Sequence, residues 1–192
     1  MTRTYTLKRR AEQQADTRRR IVEATIDLHG SIGPARTTIS MIAEQAGVQR
    51  HTLYAHFPDE RSLYMACSAL AQERDPLPEA GAWQGIEDRH DRLRVGLSAV
   101  YGWYERNAEL LACVMRDAEY HQPTKEITEL RFGPYMAGYQ EVLGAKLSAK
   151  QRAILRLALS FFSWRTLVCE GGLKQGAAVG AMIQAIDCAN GA

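Results

Sequence analysis

The sequence predicts an all-α protein, in which a small N-terminal three-helix domain precedes a larger helical bundle, with about nine helices in total. Three observations lead to this fold class. Apolar residues recur at helical spacing along most of the chain, no segment of useful length alternates as a strand does, and proline and glycine fall mainly between the helical patterns. Hydrophobic residues make up 46% of the 192 residues, which is enough for a buried core.

The first 12 residues are polar and are predicted to form a flexible basic tail. An amphipathic helix is predicted over residues 13–31, because Ile21 and Leu28 fall on one of its faces. Gly33 then ends this helix and opens a short loop.

Two short helices separated by a glycine follow the loop. Thr38 stands where the N-cap of the first helix belongs, and Gly47 supplies the left-handed conformation that a sharp turn needs. The second helix, over about residues 50–57, places Leu53 and Phe57 on one face. Two short helices joined by such a turn form a helix-turn-helix.

The other sides of this second helix carry residues that suit a nucleic-acid groove. A DNA major groove is about 12 Å wide and admits a helix whose outward residues are small, polar or aromatic. The outward residues here are Arg50, His51, Thr52, Tyr54 and Ala55.

The charge distribution is uneven. Residues 1–65 carry a net charge of +3, whereas residues 66–192 carry −1. The excess positive charge lies in residues 8–10 and 18–20, which are all lysine or arginine. A basic segment on a folded domain attracts a polyanion such as DNA, but a solvated tail remains the alternative interpretation.

The rest of the chain is predicted to be helical. A fourth helix over about residues 60–73 completes an N-terminal domain of residues 13–73, and residues 74–192 form a second domain. Prolines and glycines in residues 75–85 indicate the loop between the two domains. The remaining helices are predicted near residues 86–105, 107–119, 124–145, 148–170 and 175–189.

The stretch from Gly33 to Phe57 resembles the signature of the tetracycline-repressor (TetR) family. Its matching pieces are T-x-x-x-I-A, A-G-V, and T-L-Y-x-H-F followed by Leu63. They cover roughly the first third of the chain. The resemblance implies a transcriptional regulator, not an enzyme, which uses no cofactor or metal, binds a palindromic DNA operator as a homodimer and is released by a small-molecule effector of unknown identity. Repression is the commoner mode in this family, and activation is the alternative. The N-terminus lacks the apolar stretch of a signal peptide and the chain lacks a membrane span, so a cytoplasmic location is expected.

The resemblance also implies roles for individual residues. Glu60 occupies a position where the family usually has a lysine on DNA phosphate, so either Arg61 takes over that contact or the contact is lost. His29 replaces a usual phenylalanine at the end of the first helix. The DNA-binding residues that it implies are Thr38, Ser40, Arg50, His51, Thr52, Tyr54, Ala55, His56 and Arg61.

The resemblance also implies that the last two long helices form a four-helix dimer interface with the partner. Residues 151–168 are more apolar than one helix face requires, and residues 176–185 are rich in small side chains that allow close helix approach. Ordinary core packing is the alternative explanation. The predicted interface residues are Phe161, Arg165, Ala178, Ala181, Met182 and Ala185.

The effector pocket is the least specific prediction. Aromatic and polar side chains of the second domain can line an apolar pocket, although each of them is equally suited to the core. The predicted ligand-binding residues are Tyr101, Tyr104, Met115, Arg116, Tyr135, Tyr139, Phe162 and Trp164.

Other classes of protein are disfavoured. Glu87-x-x-His90 has the spacing of half a di-iron site, but the chain lacks a second Glu-x-x-His motif. The four cysteines form no paired C-x-x-C pattern, and no apolar run reaches the roughly 18 residues of a membrane span. An architectural DNA-binding protein without sequence specificity remains an alternative, although the residues after 73 have no role in it.

Overall fold

The computed structural model describes the backbone of residues 2–189 and the side chains of residues 8–189. Within these residues the fold contains α-helices and no strands, which confirms the predicted all-α class. The helices are α1 (Thr2–Ser31), α2 (Ile39–Gln45), α3 (Arg50–His56), α4 (Glu60–Arg74), α5 (Arg89–Arg106), α6 (Ala108–Ala118), α7 (Gln122–Leu143), α8 (Ala149–Ala158), α9 (Phe161–Trp164) and α10 (Gln175–Cys188).

The first helix is longer than predicted. It begins at Thr2 instead of near residue 13, so residues 2–12 are helical. This stretch has no apolar periodicity, but residues 8–14 are mostly strong helix formers that extend a helix already fixed by the core. The flexibility predicted for residues 1–12 stays a prediction, and residue 1 lies outside the described residues.

The single helix predicted over residues 148–170 is wrong. Ser160 adopts an extended conformation with φ −74° and ψ 133°, which ends α8 and starts the four-residue α9. A π-helical turn, Arg165–Glu170, follows. The break changes the direction of the chain, so Leu155 on α8 and Trp164 on α9 are both buried. The apolar excess of this segment therefore arises partly from the break.

The chain forms two compact units. The first contains the residues up to Arg74 together with Glu109–Thr128, and the second contains Asp75–Ala108 and Glu129–Ala192. The division after Arg74 lies next to the domain boundary predicted at residue 73, whereas residues 109–128 group with the first unit. The predicted domains themselves stay a prediction.

The core of the first unit forms where one face of α1 packs against α2 and α4. Ile21 from α1, Leu53 from α3, Phe57 after it and Leu63 from α4 are almost completely buried in one hydrophobic cluster. Burying side chains of this size contributes about 1.5–3 kcal/mol each relative to leaving them exposed. This cluster therefore fixes the short helices α2 and α3 against the long α1.

A buried carboxylate fixes the turn before α2. Asp117 accepts hydrogen bonds from the Ala35 amide at 2.9 Å, from Arg116 Nε at 2.8 Å and from the Tyr120 hydroxyl at 2.8 Å. Burial by itself raises the pKa of Asp117, but these hydrogen bonds outweigh it and hold the pKa below its usual value. Gly33 has φ +95°, and a Cβ there would lie 2.3 Å from Asp117 Oδ2, so this position requires glycine.

The second unit is organised around α10, which packs against both α5 and α8. Tyr101 and Tyr104 of α5 donate hydrogen bonds to the carbonyls of Ala158 and Leu159, at 3.0 and 2.6 Å. These bonds hold the end of α8 against α5 where the chain breaks. Over the described residues, no helix combines the length and the hydropathy needed to cross a bilayer.

His29 is a polar residue enclosed in the first unit. Its ring meets Tyr64 edge-on at 4.8 Å between centroids, and its Nδ1 lies 3.9 Å from Cys67 Sγ. Desolvation by burial lowers the pKa of His29 to about 4, while Asp117 acts in the opposite direction and His121 lowers the pKa further. His29 is therefore neutral at pH 7.

This burial predicts an acid-sensitive unit. Because the folded pKa of His29 lies below the unfolded value of 6.5, its contribution to stability is complete above pH 6.5 and is lost as pH falls towards 4. We expect the free energy of unfolding to drop by an amount on the order of 3 kcal/mol across that range. His29→Phe should remove most of this drop in denaturant titrations at pH 7.5 and 4.5, whereas His51→Gln, at an exposed position, should retain it.

Candidate nucleic-acid interface

The segment from α2 to α3 has the predicted turn geometry. Thr38 caps α2 by accepting a hydrogen bond from the Met41 amide at 3.3 Å. Gly47 has φ +64°, and the Val48 amide donates to the Ala43 carbonyl at 2.9 Å. These bonds satisfy the free groups at the ends of α2 and turn the chain into α3.

The short helix α3 separates buried from exposed residues as predicted. Leu53 is completely buried and Phe57 is 1% exposed, whereas Tyr54 is 52% exposed. The exposed residues Arg50, His51, Tyr54 and Ala55, with the half-buried Thr52, are called the α3 surface below. The structure thus brings together Arg50, His51, Thr52 and Ala55, which are predicted to face base edges, with Tyr54, which is predicted to contact the DNA backbone. The other predicted DNA contacts flank them, with Thr38 exposed and Ser40 and His56 half-buried.

Arg18 of α1 attaches to the end of α3. Its Nη1 donates to the His56 carbonyl at 3.0 Å, and its guanidinium lies 4.1 Å from the centroid of the Phe57 ring. Arg20 likewise binds the C-terminal end of α2, where its Nη1 donates a hydrogen bond to the Ala46 carbonyl at 3.0 Å. A cation at a helix C-terminus also interacts favourably with the helix dipole.

Sequence reasoning missed this role of the two arginines. It grouped residues 18–20 as a basic patch, although Arg18 lies three residues before the buried Ile21 and therefore on nearly the same helix face. All three side chains are exposed, and Arg19, which has no described bond to α2 or α3, pairs with Asp16 at 3.6 Å. Helical spacing could have indicated that Arg18 lies near the buried face of α1, but it could not identify the carbonyls of α2 and α3 that the two arginines bind.

Arg61 lies in an acidic setting. Its Nη1 forms an ion pair with Glu126 Oε2 at 3.3 Å, within the first unit. A shallow cleft beside this pair is lined by Asp59 and Glu60 from the start of α4 and by Ile127 from α7. The guanidinium that was expected to replace the usual lysine is therefore already paired with a carboxylate.

The predicted ligand-binding residues do not all lie in one unit. Met115 and Arg116 belong to the first unit, where Arg116 is bonded to Asp117 and to the Ile32 carbonyl at 3.1 Å. The other six belong to the second unit. Of these, Tyr101, Tyr104, Tyr139 and Trp164 are buried, Tyr135 is half-buried and Phe162 is exposed.

The predicted dimer-interface residues also separate by burial. Phe161 and Ala178 are buried within the chain itself, so they belong to the core of the second unit and leave no surface for a partner. Arg165 is half-buried and pairs with Glu170 at 3.0 Å. The half-buried Ala181, Met182 and Ala185 remain on the surface of α10.

The proposed half of a di-iron site has another structural role. His90 Nε2 lies 2.8 Å from Asp187 Oδ2, a contact that joins α5 to α10. Across the described part of the chain, no group of three or more His, Cys, Asp or Glu residues is placed to hold a metal ion.

Comparison with known proteins points to one family. Residues 21–67 match the profile of bacterial regulatory proteins of the tetR family. The chain is 37% identical over 88 residues to the HTH-type transcriptional regulator TtgR of Pseudomonas putida, a match that covers 45% of this chain. That match spans only 40% of the length of TtgR.

Two solved structures share the fold over nearly the whole chain. A TetR-like transcriptional regulator from Rhodococcus sp. RHA1 is 20% identical with a TM-score of 0.59, and covers 86% of this chain and 91% of its own. The multidrug binding protein EbrR, solved with imidazole, is 18% identical with a TM-score of 0.60, over 87% of this chain and 88% of its own.

The contact between Arg18 and α3 can be tested by comparing Arg18 with its neighbour Arg19, which has no described bond to α3. We expect Arg18→Ala to lower the free energy of unfolding by about 1 kcal/mol, because it removes a hydrogen bond and a cation–π contact. Arg19→Ala removes the same charge from the same helix and should change stability by less than about 0.5 kcal/mol. Denaturant titration of both variants measures the difference, and equal effects would show that only the charge of this segment matters.

Proposed function

We propose that the chain is a member of the tetR family of bacterial regulatory proteins, whose profile residues 21–67 match, and that it regulates transcription by binding operator DNA as a homodimer, under the control of a small-molecule effector. The family is one of DNA-binding regulators. The observation that carries the proposal is the α3 surface, which is exposed beside a buried core and lies in the region that matches the family.

The α3 surface supports direct reading of bases. Arg50 stands at the N-terminal end of α3, which is the part of a recognition helix that contacts base edges in the major groove. Its guanidinium suits guanine, and Thr52 suits the methyl group of thymine. Thr38, Ser40, Tyr54 and His56 then contact the DNA backbone on either side.

A homodimer follows from the geometry of the duplex. Two recognition helices read one operator only when they meet major grooves about 34–36 Å apart, and a two-fold axis provides this arrangement for a palindromic site. In the second unit, Leu157 on α8 and Phe162 on α9 are exposed, as are Ala177 and Gly180 on α10. We assign the partner to this apolar surface, together with Ala181, Met182 and Ala185.

The effector site is assigned to the aromatic core of the second unit. The indole Nε1 of Trp164 is buried without a hydrogen-bond partner among the described residues. A buried donor without a partner costs about 1–3 kcal/mol, which a ligand acceptor would recover. Trp164 also directly precedes the π-helical turn, and such turns occur frequently at functional sites. Tyr104 lies against its ring, at 5.9 Å between centroids.

Substitution of the α3 surface tests DNA recognition. Arg50→Ala and Tyr54→Ala should each abolish specific operator binding, because they remove a base contact and a backbone contact while the buried Leu53 side stays intact. Binding is measured on an operator selected from a random duplex library, with circular dichroism as the check on folding. Arg94→Ala, an exposed arginine of the second unit, is the matched control and should bind as the wild type does.

Competition by unrelated duplex distinguishes the two kinds of DNA binding. A specific regulator prefers its operator by a factor of about 10³ or more, whereas an architectural protein binds all sequences equally. Retained affinity in a folded Tyr54→Ala protein would contradict the proposed docking.

Two exposed leucines test the dimer surface. Leu157 on α8 is 52% exposed and Leu130 on α7 is 49% exposed, so a new carboxylate at either site costs the monomer little. We expect Leu157→Glu to produce monomers in size-exclusion chromatography with light scattering, because it introduces an unpaired charge into an apolar interface. Leu130→Glu should remain dimeric, and a dimeric Leu157→Glu protein would place the interface elsewhere.

A further inference from the structure

The N-terminal extension of α1 offers a second basic surface beside α3. Residues 8–16 are exposed on every side, so this part of the helix extends beyond the core that begins near Ile21. Arg18 and Arg20 are engaged with helix ends, as described above. Arg19 pairs with Asp16 at 3.6 Å, so the positive charge that residues 8–20 have for a partner is mainly that of Lys8, Arg9 and Arg10.

These residues do not share one helix face. At about 100° per residue, Arg10 and Gln14 lie about 20° from the direction of Ile21, which faces α2 and α3. The carboxylates Glu12 and Asp16 lie about 180° and 140° from that direction. The side of the extension that continues the face towards α3 is thus basic and polar, and it carries no acidic residue.

The hydrogen bond of Arg18 fixes the position of the basic side of the α1 extension relative to α3. Because Arg18 bonds to the last carbonyl of α3, the extension starts at the C-terminal end of that helix. Arg10 lies eight residues earlier, about 12 Å further along the axis. When the N-terminal end of a recognition helix contacts base edges, its C-terminal end lies near the edge of the major groove, close to the phosphates of the DNA backbone. The extension of α1 therefore begins near those phosphates.

We propose that the Arg10 side of α1 binds the phosphate backbone of DNA that flanks the segment read by α3. Arg10 supplies a guanidinium for a phosphate, and the Gln14 amide supplies a hydrogen-bond donor next to it. The partner is the same duplex that the α3 surface reads, so this inference rests on the proposed function. Charge complementarity and continuity with α3 favour DNA over an acidic protein surface.

Two adjacent arginines provide the test. Arg9 lies about 120° from the direction of Ile21 and about 100° from Arg10, so Arg9→Gln and Arg10→Gln remove the same charge from two different sides of one helix. Glutamine is a good helix former, and both variants should keep the helix. Affinity is measured between 50 and 200 mM salt, on an operator duplex with at least ten flanking base pairs on each side.

Arg10→Gln should weaken operator binding about 5-fold per protomer at 150 mM salt, or about 25-fold for a dimer, and should reduce the slope of log K against log salt by about 0.9 per protomer. Arg9→Gln should change affinity less than 2-fold. If both variants weaken binding equally, long-range charge explains the effect and the proposed contact at Arg10 is wrong. If Arg10→Gln binds as the wild type does, the extension does not contact DNA.

The Arg50→Ala protein, measured in the same titration, keeps the two proposals apart. Loss of binding by Arg50→Ala together with wild-type behaviour of Arg10→Gln overturns only the role of the extension. Wild-type behaviour of Arg50→Ala overturns the proposed function itself.

Discussion

The attachment of α3 to α1 is the constraint on which the rest of the first unit depends. A helix of seven residues does not form by itself in water, because one or two turns do not repay the cost of nucleation. Leu53 and Phe57 hold α3 by burial, and Arg18 holds its last carbonyl. The exposed α3 surface is presented in a fixed orientation only because its opposite side is held in this way.

The sequence predicted those parts of the structure that depend on interactions between residues close together in the chain. The cap at Thr38, the turn at Gly47 and the apolar spacing of Leu53 and Phe57 lie within 20 residues of one another, and each acts on its own neighbours. The same local signals placed Arg50 and Tyr54 on the exposed side of α3. For this reason the helix-turn-helix was predicted almost residue by residue, although its contacts with DNA stay a proposal.

The parts that sequence missed depend on distant partners. Asp117 bonds to the Ala35 amide across 82 positions, and Arg18 bonds to the His56 carbonyl across 38. Helical spacing places Arg18 near the face of the buried Ile21, but no local pattern identifies the distant partner of either residue. The break at Ser160 was missed for another reason, since serine is tolerated inside helices and only packing decided that it ends α8 here.

The pairing of Arg61 with Glu126 has a consequence for the energetics of DNA binding. The guanidinium has further N–H donors, so a phosphate could bind Arg61 without displacing Glu126, whose Oε2 lies 3.3 Å from Nη1. The phosphate would then lie close to Glu126 and to Asp59 and Glu60 at the same cleft, and these negative charges repel it. Compared with an arginine that has no carboxylate nearby, a phosphate contact at Arg61 would therefore gain less from electrostatic attraction.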